Sequence, residues 1–222
     1  MKVENTRFGI SSAWLILALG AALAACQAPG MQTRAESAEP AITTEFEPAS
    51  DNFPLGTASD IDYARALWHA MQDEGLVGAD AVQLEPFFGG AKPHGMILEI
   101  ADQILSVNGH RGFVVVKRNY DGPGVSVKSV AADRARFLSS VTVMFQREAG
   151  YDDPNFNWFW VKYRPDGTLF RKQIMGRDMA MAGRIVKGPS WDESGGCIYC
   201  HSSAGGGDFI FYPEIEIPSD AG

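Results

Sequence analysis

The chain has 222 residues, a formal net charge of −8 and three cysteines. An acidic balance of this size disfavours nucleic acid, whose binding rests on neutralising phosphates. Three cysteines cannot build a multi-disulfide framework, and the length suits one globular domain with a targeting segment.

Lys2 and Arg7 precede an apolar stretch over residues 10–25 that closes on Leu23-Ala24-Ala25-Cys26. A short basic region, an apolar core and small residues before the cut predict a bacterial secretory signal over residues 1–25. The stretch is shorter than the ~20 apolar residues that span a bilayer comfortably. Leu-Ala-Ala-Cys resembles a lipobox, in which Cys26 is acylated and becomes the first residue of the mature chain. An uncleaved anchor helix, or cleavage at a nearby alanine without lipid, is the alternative. Removing residues 1–25 takes the net charge from −8 to −9. Attachment to the periplasmic face of a membrane is therefore expected to depend on the acyl group, not on anionic headgroups.

Residues 26–58, rich in Ala, Pro, Glu, Ser and Thr, read as a disordered tether. The domain is expected over residues 59–222. Ser59-Asp60 has the composition of a helix N-cap region, and Ile61, Ala64, Leu67, Trp68 and Met71 follow at helical spacing. Gly75 suits the end of that helix. Beyond Pro93 the period becomes strand-like, with short candidates at 96–100 and 104–107 and a longer strand at 113–120. Asp121-Gly122-Pro123-Gly124 stops it. Strands at 137–147 and 156–163 follow. Arg164-Pro165-Asp166-Gly167 predicts a hairpin turn, because proline presets φ and glycine takes the left-handed position. The return strand is expected at 168–174.

These strands are apolar on both faces at their centres. Trp158 and Trp160 alternate with Phe159 and Val161, so something covers each side. A prosthetic group and helices could cover one face and a second subunit the other, or the N-terminal helix could cover the second face.

Near the C-terminus stands Cys197-Ile198-Tyr199-Cys200-His201. C-x-x-C-H is the attachment motif of a c-type haem. Two cysteines three apart share one face of a helical turn, where both sulfurs can reach one porphyrin edge. His201 is then carried over the iron. A structural zinc site needs about four ligands and only three cluster here. With Cys26 assigned to lipid and Cys197 and Cys200 to haem, no cysteine remains for a disulfide. Export and covalent haem support each other, since this haem is attached outside the cytoplasm. The fold class expected is α+β: a mainly antiparallel sheet, an N-terminal helix and a C-terminal haem-bearing helix.

Several runs together resemble the cytochrome P-460 family and its sister group, the β-sheet cytochromes c′. They are Val116-Lys117-Arg118-Asn119-Tyr120, Thr142-Val143-Met144, Asn157-Trp158-Phe159-Trp160-Val161-Lys162-Tyr163 with Pro165-Asp166-Gly167, the haem motif, and Asp208-Phe209-Ile210-Phe211. The resemblance covers roughly residues 90–213. It implies an often dimeric antiparallel fold with one haem c and an open sixth iron position, which oxidises hydroxylamine or binds gases such as nitric oxide. It further implies thioethers at Cys197 and Cys200 and His201 as proximal ligand. Lys117 stands where hydroxylamine-oxidising members cross-link a lysine to haem. The alternative is a strand-end lysine with its charge in water. Those members also use a distal carboxylate, and residues 137–147 contain none at the corresponding stretch, which argues against an oxidase.

An apolar distal pocket lined by Met144 or Phe145 would favour nitric oxide or carbon monoxide. Each of these side chains also suits ordinary core. Alternatively, His94, His110, Met175, Met179 or Met181 fills the second axial position and the protein carries electrons to or from a redox partner. His69 lies within the first helix, where a structural role is expected.

Overall fold

A computed structural model of the protein describes residues 48–49, 53–90, 92–174, 176–185 and 196–211. The signal segment 1–25, Cys26, the tether as far as residue 47 and Met175 lie outside them. Among the described residues no helix is long and apolar enough to cross a membrane.

The fold is mixed α+β, built on a mainly antiparallel sheet. The first helix, α1, runs Ala58–Asp73. Its cap is Thr57, two residues before the expected Ser59-Asp60. The Thr57 side chain accepts from the Asp60 amide, and Asp60 closes the reciprocal bond, which satisfies two otherwise orphaned amides. Ordered packing begins upstream of residue 59, since Leu55 is fully buried and bridges to Gly183.

Strands β1 (Phe87–Phe88), β2 (Ile97–Val107), β3 (His110–Tyr120), β4 (Leu138–Gln146) and β5 (Trp158–Tyr163) form an antiparallel meander. The two short candidates at 96–100 and 104–107 are one continuous strand. Asn108 (φ 51°) and Gly109 (φ 84°) make the two-residue link between β2 and β3. That left-handed pair matches strand twist, so the hairpin closes without splaying.

Helices α2 (Val127–Ala132) and α3 (Arg134–Phe137) link β3 to β4. The Pro165-Asp166-Gly167 turn forms as expected, with Gly167 at φ 86°. A Cβ there would lie 2.5 Å from the Trp68 ring, so glycine also lets the turn press onto α1. The return strand differs from expectation. Leu169 bridges to Tyr163, but β6 (Arg171–Ile174) pairs with β7 (Arg177–Ala180) in a separate two-stranded sheet. The place beside β5 goes to β8 (Ala182–Gly183). Gly183 allows this, because a Cβ there would stand 2.8 Å from the Leu55 Cα. The last element, α4, is Cys197–His201.

Strand alternation divides the sheet into two faces. One presents Val114, Val116, Val141, Val143, Phe145, Phe159, Val161 and Tyr163 to Tyr63, Ala64, Leu67, Trp68 and Met71 of α1. Each large apolar side chain buried there contributes on the order of 1.5–3 kcal/mol. The N-terminal helix therefore covers this face, and no second subunit is needed for it. The opposite face presents Phe113, Val115, Met144, Trp158 and Trp160 to Ile198 of α4 and to Phe209 and Ile210.

Candidate functional site

The Cys197–His201 run folds as one helical turn against the second face. Cys197 and Cys200 are free thiols, the first half-buried and the second exposed. Burial pushes the Cys197 thiol up to about 11, so it is protonated at neutral pH. His201 is buried at 6% exposure. Its Nδ1 donates to the Phe209 carbonyl at 2.6 Å. That bond fixes the tautomer and leaves Nε2 with an unshared lone pair. Phe209 holds φ 68°, a left-handed value uncommon for a bulky residue. Such strain persists where surroundings over-determine it. The Asp208 side chain contributes by accepting from the Ile210 amide at 2.9 Å, while Trp158 Nε1 donates to the Asp208 carbonyl at 3.1 Å. Trp160 and Phe211 pack edgewise on the His201 ring, with centres 4.9 and 5.2 Å away.

Facing this helix is a row of polar side chains in an otherwise apolar surface. Lys117 of β3 is in register with Thr142 of β4, and Thr142 with Lys162 of β5. Lys117 stands mid-strand at 8% exposure, so the alternative of a strand-end lysine in water is overturned. Burial holds its ammonium below the usual lysine range, opposed by attraction to Cys197. Lys162 is shifted the same way for the same reason. Among the described residues Lys117 Nζ makes no hydrogen bond, while Lys162 Nζ donates to the Pro93 carbonyl at 3.2 Å.

His94 lies in a loop above this row, with its ring centre 6.2 Å from that of His201. Its Nδ1 donates to Asn119 Oδ1 at 3.1 Å, with Thr142 Oγ1 at 3.3 Å. Burial, reinforced by Lys117 and His201, lowers its pKa to about 4, and burial lowers that of His201 to about 4 as well. Both imidazoles are neutral at physiological pH.

Other expected site residues fall elsewhere. Phe145 belongs to the α1 face, so it cannot line a pocket next to His201, whereas Met144 does share the face of α4. Adjacent strand residues point to opposite sides, so one of the two had to be excluded. His110 is the first residue of β3. Its Nε2 bonds the Gln146 carbonyl at 3.1 Å, and its ring packs on Phe145, across the sheet from α4. It cannot be an axial ligand. His69 is exposed on α1 and takes no part in the core. Met179 is buried, and Met181 packs, against the same cluster as Ile198. No acid occurs in β4. Asp102, opposite Val115 in β2, is exposed, and burial of part of the side chain raises its pKa.

The residues that sequence reasoning passed over are Asn119, Thr142, Lys162, Trp160 and the Phe209 carbonyl. Odd and even parity along each strand signals which of them share a face, but only the register brings Lys117, Thr142 and Lys162 into one row.

The donor set fits a haem. Two thiols and an imidazole with a free Nε2 occupy one turn. The face before them is aromatic and aliphatic, and Trp160 Nε1 is buried there with no partner. No group of three or more His, Cys, Asp or Glu that could hold a bare metal ion occurs among the described residues. A porphyrin supplies its own four nitrogens, so it asks the chain only for axial ligands. A cavity of about 770 Å³ opens elsewhere, beside the start of α1, lined by Asp60, Tyr63, Arg147, Tyr151 and Arg184. It contains none of the haem-motif residues. No family model, curated protein or solved structure matches the chain.

Proposed function

We propose that the chain is an exported mono-haem c-type cytochrome, tethered to the periplasmic face of a bacterial membrane by a lipid on Cys26. Cys197 and Cys200 carry the thioether bonds and His201 binds the iron from the proximal side. The observation that carries this reading is the state of His201. It is buried on the same helical turn as both cysteines, with Nδ1 committed to the Phe209 carbonyl at 2.6 Å. Metal-binding histidines take this form, with the second nitrogen oriented by a carbonyl or carboxylate.

Bound haem supplies an iron centre able to exchange an electron or to hold a small ligand such as nitric oxide, carbon monoxide or hydroxylamine. The chain's own residues set the surroundings. Phe113, Val115 and Met144 exclude water from the sheet face, and Trp160 Nε1 offers a hydrogen bond to an acceptor placed there. Lys117, buried and pushed toward its neutral amine, has the reactivity a cross-link to a porphyrin edge requires. With no carboxylate in β4, ligand binding or one-electron chemistry is favoured over proton-coupled hydroxylamine oxidation.

The test is expression in cells competent for c-type haem maturation, followed by a denaturing gel stained for haem peroxidase activity. A stained band that disappears in Cys197→Ser/Cys200→Ser supports the reading, and an unstained wild-type band removes it.

A further inference from the structure

We infer that His94 is the second axial ligand of the iron, placed opposite His201, so that an external ligand binds only by displacing it. This inference rests on the haem reading above and concerns what occupies the distal side.

The first observation is distance. The two ring centres lie 6.2 Å apart. An imidazole nitrogen sits about 2 Å from a transition-metal ion, so two rings on opposite sides of one metal have centres roughly 6 Å apart. The ring planes are inclined at 73°, and a shared axis permits any angle between them.

The second is the tautomer. Asn119 is fully buried, and its amide nitrogen donates to the carbonyls of Lys117 and Ser140 at 3.1 and 3.2 Å and to Thr142 Oγ1 at 3.2 Å. With the nitrogen side so committed, Asn119 Oδ1 can only accept, and it accepts from His94 Nδ1. The lone pair of His94 is thereby placed on Nε2. His201 reaches the same state through the Phe209 carbonyl. Both histidines have the oriented form that metals bind, with one ring nitrogen donating and the other left open.

The third is the loop. A Cβ on Gly95 would lie 2.4 Å from the Tyr120 carbonyl, so glycine alone lets this segment rest on the end of β3. Lys162 Nζ holds the Pro93 carbonyl at 3.2 Å from the other side. His94 is fastened over the Lys117–Thr142 row from both flanks. The rival His110 is across the sheet. The distal side is therefore closed by a ligand that sits on a short loop, not on a strand.

The experiment uses the full-length haem-loaded protein. Its ferric form is expected to be low-spin by absorption and electron paramagnetic resonance, with the near-infrared magnetic circular dichroism band of two nitrogen ligands. His94→Gly should become high-spin and return to low-spin on adding imidazole. Its ferrous form should bind carbon monoxide at least about tenfold more tightly than wild type, because the competing side chain is gone. A high-spin ferric wild type overturns the inference, as does a low-spin state that persists in His94→Gly. Where that variant does not fold, a high-spin ferric wild type, or a dichroism band that is not that of two nitrogen ligands, still overturns the inference. A gel with no haem stain defeats the cytochrome reading itself, whereas stained but high-spin protein defeats only His94.

Discussion

The two faces of the central sheet are built from the same strands and treat buried charge in opposite ways. On the α1 face the buried charges are fully paired. Glu99 Oε2 accepts from Arg118 at 2.9 Å and from the Tyr120 hydroxyl at 2.7 Å, while its Oε1 accepts from Arg134 at 2.8 Å. Arg118 spends its remaining donors on the carbonyls of Leu76 and Val82. On the α4 face Lys117 Nζ and Trp160 Nε1 lack hydrogen-bond partners among the described residues, and two histidines each keep Nε2 unengaged. Burying a polar group without a partner costs free energy. The hydroxyls of Tyr63 and Tyr151 are also buried without partners on the α1 side, so the contrast is one of charge: the α1 face closes its charges on one another, whereas the α4 face leaves a buried amine open beside two histidines.

That contrast can be broken at several points. The largest effect is expected from Cys197→Ser/Cys200→Ser, which should abolish haem retention completely while leaving the α1 face intact. Haem staining and far-ultraviolet circular dichroism check both halves. Next comes Glu99→Ala. Removing this carboxylate strands Arg118 in the interior, and such a break costs about 3–5 kcal/mol. Urea titration should show it, with haem attachment preserved in the folded fraction.

A smaller change follows from pH in the haem-free double variant. His94 and His201 have folded pKa values of about 4 against an ordinary 6.5. Between those values the unfolded chain binds more protons, so stability rises with pH. It should be fully present above pH 6.5, erode as pH falls, and reach its floor once pH passes below about 4. Thermal melts across that window measure it, and the single variant His94→Gln in the same background should flatten the slope.

The smallest effect sharpens the comparison. Lys117→Met removes a buried amine that has no partner to strand, so stability should be unchanged or raised by about 1 kcal/mol. If wild type carries a lysine–haem cross-link, its ferrous Soret band will be displaced far to the red and the same substitution will abolish that displacement.

How much of this was legible beforehand follows from range. Strand centres, the Pro165-Asp166-Gly167 turn and the α1 periodicity rest on local geometry, and each formed close to where the residues predicted. The helical turn over Cys197–His201 is equally local. Failures came where parity or distant pairing decided. Met144 and Phe145 are adjacent and both large, but the pleat sends one to each face. His110 reads as a loop residue until Asn108-Gly109 is seen to close a hairpin of minimum length. The return strand was misplaced because β8 competes for the same edge, helped by close approach at Gly183. The contact of His94 with His201 was invisible for a related reason. It depends on the β3–β4 register that sets Asn119 beside Thr142, and on a glycine resting against Tyr120.

One weighing answers the main question: the intact mass of the mature protein under denaturing conditions. The account predicts the lipidated chain plus one haem, with the haem increment absent from Cys197→Ser/Cys200→Ser. A wild-type mass equal to chain and lipid alone, from cells that mature other c-type cytochromes, would contradict it.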